Sequence, residues 1–132
     1  MNVSRTAAAL TATTAALTGL VLIAPAANAS GGTPDVRSSG TCTVGATWKL
    51  KAKPDDGGRL EVEYQLDTNR NNQSWAVKIN DNTHRVFTGT RTTKAPSGSF
   101  SVTIHPVNRA GTDHLVATAT RGAVTCTGRL AL

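Results

Sequence analysis

From Cys42 onward the chain is patterned with a period of two. Trp48, Leu50 and Ala52 alternate with Lys49, Lys51 and Lys53, and Leu60, Val62, Tyr64 and Leu66 alternate with Glu61, Glu63 and Gln65. Successive side chains of an extended chain point to opposite faces, so each run reads as a strand with one buried and one wet side. Trp75, Val77 and Ile79 continue the pattern, followed by residues 86–93, by Phe100, Val102 and Ile104, by residues 115–120 and by residues 124–132. The clusters PDDGG, TNRNN, NDNT, KAPSG and NRAGT separate these runs with turn-forming residues. No stretch after residue 29 keeps a helical period. About seven short strands at this spacing predict an all-β fold, an immunoglobulin-like antiparallel β-sandwich over residues 41–132. Residues 30–40, rich in Gly and Ser and short of apolar groups, read as a flexible tail or linker, with a short edge strand at Asp35 to Arg37.

Two arrangements of the first two strands satisfy the pattern. A hairpin closed by Pro54 to Gly58 pairs Lys53 with Arg59, Lys51 with Glu61 and Lys49 with Glu63, and sets Leu50 opposite Val62 and Trp48 opposite Tyr64 on the buried side. In the usual immunoglobulin topology the connection instead crosses between sheets, and the lysine and glutamate rows lie on opposite outer faces. Either way Lys49, Lys51 and Lys53 point to water, as halves of cross-strand ion pairs or as charges that discourage edge-to-edge aggregation. A ligand-binding face is the competing role for the same three lysines.

The chain begins with the features of an export signal. Arg5 precedes an apolar run from Leu17 to Ala24, then come Pro25 and the small-residue site Ala27-Asn28-Ala29. Cleavage there leaves Ser30 as the first mature residue. No later apolar run approaches the roughly 18 residues that span a bilayer, so the expectation is a secreted, extracellular protein with no transmembrane segment in the mature chain. Of fourteen basic residues Arg5 leaves with the signal, and against eight acidic residues the mature chain keeps a net charge of +5. Cys42 and Cys126 are the only cysteines, and an oxidising destination joins them in one disulfide. That bond matters because five aromatic residues, Trp48, Tyr64, Trp75, Phe87 and Phe100, are all the core has.

The order of GTCTVGATWKLKAK, GGRLEVEYQLDTNRNNQSWAVKI, TTKAPSGSFSV, NRAGTDHLVATA and a late cysteine resembles a family of small secreted actinobacterial single-disulfide β-sandwich proteins of uncharacterised function. The resemblance implies secretion and a β-sandwich and brings no active-site residue. Ala110 to Ala119 also looks like the E–F corner and F strand of bacterial immunoglobulin-like domains, although the disulfide there joins strands B and F while Cys126 lies on the last strand.

Candidate chemistry is sparse. Oxidised cysteines and the lack of a Gly-x-Ser-x-Gly elbow argue against nucleophilic catalysis, and adjacent Asp113 and His114 point to opposite faces of a strand. Glu61 and Glu63 share a face but sit opposite lysines, and most of the aspartates fall in turns. The weak metal candidates are His84, His105, His114 and Asp113, which the strand order brings to one end of the sandwich without any zinc-ligand spacing. Basic residues run from Arg37 to Arg129 without a dense cluster or exposed rings, which argues against specific nucleic-acid binding and for weak attraction to anionic cell-wall polymers. Trp48 and Trp75, conceivable as a carbohydrate platform, alternate in phase with aliphatic residues and read as core. The expectation is a non-catalytic extracellular binding or structural module, without cofactor, associated with the cell envelope. The alternatives are a small metal-dependent or hydrolytic enzyme, a small-molecule carrier, or a protease inhibitor presenting Lys94 to Gly98.

Overall fold

The computed structural model describes residues 35–132, so the expected export signal, residues 1–29, and residues 30–34 lie outside the described residues. Eight strands form two four-stranded antiparallel sheets. Sheet A has the order β1 (Val36–Thr41), β2 (Thr47–Asp55), β3 (Arg59–Asp67), β6 (Ser99–Ile104). Sheet B has the order β5 (His84–Thr92), β4 (Ser74–Asp81), β7 (His114–Arg121), β8 (Val124–Ala131). The order of sheet B is the C′-C-F-G order of immunoglobulin-like sandwiches, and β3 beside β6 is their B–E pair. Among the described residues no helix is long and apolar enough to cross a membrane.

The inward halves of the alternating runs meet between the sheets. Leu50, Leu60, Val62, Tyr64 and Leu66 of sheet A and Trp75, Val77, Ile79, Leu115, Ala117 and Ala119 of sheet B are buried in one cluster. Burial obliges the tyrosine hydroxyl to find a partner; Tyr64 Oη donates to the Cys126 carbonyl at 3.1 Å, and burial pushes its pKa up. Cys42 and Cys126 are bonded with their Cα atoms 5.2 Å apart, tying the segment ahead of β2 to β8 in the opposite sheet.

Two expectations are corrected. The edge strand expected at Asp35 to Arg37 runs further and takes in most of the expected tail: β1 pairs with β2 from Val36↔Ala52 to Thr41↔Thr47, and the described residues form eight strands where about seven were expected. Its low hydrophobicity has a packing cause. Gly40 lies opposite Trp48, and a Cβ there would fall 2.8 Å from the indole, so the tryptophan fills space that a side chain of β1 would otherwise take.

The second correction is one of register. β2 and β3 do form a hairpin within one sheet, but shifted by two residues: Lys53↔Glu61, Lys51↔Glu63, Lys49↔Gln65, Leu50↔Tyr64 and Trp48↔Leu66. The loop is Asp56-Gly57-Gly58, with both glycines at positive φ (70° and 68°), and Pro54 belongs to the strand. Proline is tolerated there because its partner Leu60 donates its amide to the Pro106 carbonyl, away from β2, and because β1 reaches no further along β2 than Ala52. A two-residue shift preserves every face, which is why alternation alone does not detect it.

Gly128 in β8 repeats the Gly40 arrangement from the other side of the indole. A Cβ at Gly128 would meet Trp48 Cε3 and Cζ3 at 2.8 Å and Leu50 Cβ at 3.4 Å. Gly128→Ala is therefore expected to cost about 1–3 kcal/mol by overpacking, read from the midpoint of denaturant unfolding. An unchanged midpoint would show that Trp48 moves aside freely.

Candidate functional site

The lysine row occupies the outer face of sheet A, and that face is largely neutralised. Lys51 Nζ lies 3.0 Å from Glu63 Oε2 and 3.8 Å from Glu61 Oε1, and Lys53 Nζ lies 3.5 Å from Glu61 Oε2. Arg37, at the edge, is 2.7 Å from Asp35. Lys51 first, with Ser101 also donating, holds the Glu63 carboxyl below its ordinary range, and the Arg37 guanidinium does the same for Asp35. Lys49 stands between Ser39 and Gln65 and makes no ion pair among the described residues. A shallow groove of about 470 Å³ runs over Arg37, Ser39, Lys49, Lys51, Glu63 and Gln65. An anion entering it meets one free cation, Lys49, and has to compete with Asp35 for Arg37 and with Glu61 and Glu63 for Lys51.

The metal candidates do not assemble. His105 follows β6 on sheet A, where Nδ1 lies 2.8 Å from Asp55 Oδ2. His84 and His114 belong to sheet B: His84 faces Asp81 across the β4–β5 turn, and the His114 backbone is held by Asn82. Among the described residues no group of three or more His, Cys, Asp or Glu side chains is placed to hold a metal ion. The expected convergence fails because β6 and β7 lie in different sheets, so the connection between them carries His114 away from His105.

Asp113 has a different neighbour. It is buried beside Asp81, whose Oδ2 lies 3.5 Å from Arg109 Nη1 on the β6–β7 connection. Burial first, and then the adjacent Asp81 carboxyl, push the Asp113 pKa up, while Arg109 opposes the shift. A carboxyl with a raised folded-state pKa binds its proton more tightly in the native state, so its cost to stability is absent at low pH and appears as pH rises through the raised value. Asp113→Asn is accordingly expected to raise the melting temperature at pH 7 and to leave it unchanged near pH 3. A gain that persists at pH 3 would mean that it does not come from the Asp113 charge. This pair is closed to substrate: Asp81 is 0 % and Asp113 3 % exposed.

The outer face of sheet B carries the opposite kind of chemistry to that of sheet A. Alternation with the buried set turns Ser74, Ala76, Lys78 and Asn80 of β4 outward, with Val116, Thr118 and Thr120 of β7 and Thr125, Thr127 and Arg129 of β8. On β5, Thr88, Thr90 and Thr92 face the same way, and beyond the bulge at Ile79/Asn80 so does Arg85, whose Nε donates to Asn80 Oδ1 at 3.4 Å. Lys78, Arg85 and Arg129 make no ion pair among the described residues. The chain's eight side-chain carboxylates explain why. Asp35, Asp55, Asp56, Glu61, Glu63 and Asp67 lie on the strands of sheet A, beside them or in the β2–β3 turn, and Asp81 and Asp113 are buried. No carboxylate side chain faces outward from sheet B.

The sequence does contain the signal for this face, in the runs Thr88-Gly-Thr90-Arg-Thr92, Thr118-Ala-Thr120 and Thr125-Cys-Thr127. Period two marks these threonines as outward. It does not say that β5, β4, β7 and β8 adjoin, so scattered cations read as diffuse charge rather than as one face. Trp75 is buried, and Trp48 is half-buried and packed against Gly40 and Gly128, so neither forms an exposed platform. Comparison with protein-family models, with curated proteins and with solved structures returns no match to this chain.

Proposed function

We propose that this protein is a secreted, non-catalytic extracellular module that associates with anionic polymers of the cell envelope through the outer face of sheet B. The observation that carries the reading is the segregation of charge: Lys78, Arg85 and Arg129 share a face that has no side-chain carboxylate, while the lysine row of sheet A is balanced by Glu61 and Glu63. Cations without an internal ion pair give up none when they meet an anionic ligand, whereas those of sheet A do. The export signal and the disulfide support a location outside the cell. The interaction is electrostatic and exposed, so it weakens as salt shortens the screening length.

Retention of the mature protein on purified cell wall across a salt series tests this. The Lys78→Gln/Arg85→Gln/Arg129→Gln variant is expected to lose about tenfold or more in affinity, equivalent to about 1.4 kcal/mol spread over three contacts, while Lys49→Gln/Lys51→Gln stays close to wild type. The reverse outcome would assign binding to sheet A and sink the proposal.

A further inference from the structure

The cations of sheet B are set among hydroxyls, and this combination narrows the ligand. We infer that the face recognises a linear polymer carrying both repeating anionic groups and free hydroxyls. The polymer lies across the strands, with Lys78, Arg85 and Arg129 meeting its charges and rows of threonine meeting its hydroxyls. The inference rests on the polyanion reading above and adds a second recognition element to it.

The register supplies the geometry. Thr90, Ala76, Thr120 and Thr125 stand side by side across all four strands, and Thr88, Lys78, Thr118 and Thr127 form the next row. A third row runs Arg85, Asn80, Val116, Arg129, which puts a cation at each edge of the sheet. Neighbours within a row are about 4.8 Å apart and rows about 6.7 Å apart, the strand spacing and the two-residue rise. Ser74 Oγ and Thr92 Oγ1 lie 3.4 Å from each other; the other threonine side chains of the face are exposed or half-buried, each hydroxyl able to donate and to accept.

Such a face offers little apolar area for a protein partner and no ring on which a base could stack. Threonine is also a good strand former, and a solvated sheet uses it for that reason alone. Valine fills the same strand position as threonine without the hydroxyl, so a Thr→Val exchange separates the two roles.

The experiment measures binding of poly(glycerol phosphate), inorganic polyphosphate and phosphatidylserine vesicles to the mature protein by titration calorimetry and co-sedimentation, at matched phosphate and ionic strength. Wild type is expected to prefer poly(glycerol phosphate) over polyphosphate by about tenfold, the equivalent of one or two net hydrogen bonds. Thr88→Val/Thr90→Val/Thr118→Val/Thr120→Val should lose that preference while still binding polyphosphate, and Lys78→Gln/Arg85→Gln/Arg129→Gln should lose both polymers. If the fourfold variant does not fold by circular dichroism, Thr88→Val/Thr118→Val carries the same comparison. Equal affinity of wild type for the two polymers, or a preference that survives the valines, overturns the hydroxyl role and leaves the polyanion reading standing. Binding to neither polymer overturns both, and binding to vesicles alone assigns the face to an anionic membrane surface and overturns this inference.

Discussion

Reduction of the Cys42–Cys126 bond, or its replacement by Cys42→Ala/Cys126→Ala, is expected to lower the stability of the mature protein by about 4 to 5 kcal/mol, from closure of a loop of about 85 residues in the unfolded chain. For a domain of this size that corresponds to a fall in melting temperature on the order of 15–30 °C, measured by calorimetry with and without reductant. The location of the bond adds to the expectation. Cys42 precedes β2 in sheet A and Cys126 is buried in β8 of sheet B, so the bond joins the two layers where β1 and β8 meet. The opposite seam, between β5 and β6, has no such link. A loss below about 0.5 kcal/mol, within the range of an ordinary surface change, would show that core packing alone holds the layers together.

Trp75→Ala is expected to be comparably damaging, costing about 3 to 5 kcal/mol as a large truncation in a close-packed interior. Trp75 is 2 % exposed, near the start of the inner strand β4, and one of few aromatic residues between the layers. Its Nε1 is buried without a hydrogen-bond partner. An unsatisfied buried donor is itself unfavourable by about 1–3 kcal/mol, so Trp75→Phe, which removes the donor and keeps a ring, should cost far less than Trp75→Ala. Equal losses in the two variants, read from equilibrium denaturation, would mean that the indole nitrogen has a stabilising partner such as an ordered water.

The sandwich was legible because its physical cause is local. Within each strand the inward side chains, Leu50 and Ala52, Leu60 to Leu66 and Trp75 to Ile79, are separated by one residue from the next, and an extended backbone converts that spacing directly into a buried and a wet face. The single possible cysteine pairing and the wet side of Lys49, Lys51 and Lys53 follow from equally local facts. Strand β1 was only hinted at, because Val36 to Thr41 has almost no apolar signature of its own and is held by backbone pairing to β2 and by the Trp48 ring over Gly40.

What only the tertiary structure decided concerns which residues face one another between strands. A two-residue slip of the β2–β3 register leaves the alternation intact yet changes the partner of every lysine, and two glycines able to take positive φ at the turn settle it. The partition of strands between sheets separates His105 from His84 and His114, buries Asp113 beside Asp81, and gathers Lys78, Arg85 and Arg129 on a face of threonines without a carboxylate. Periodicity reports the direction of a side chain relative to its own strand. Charge balance on a surface depends on strands distant in sequence, and their order follows from how the two layers bury their apolar sides against each other.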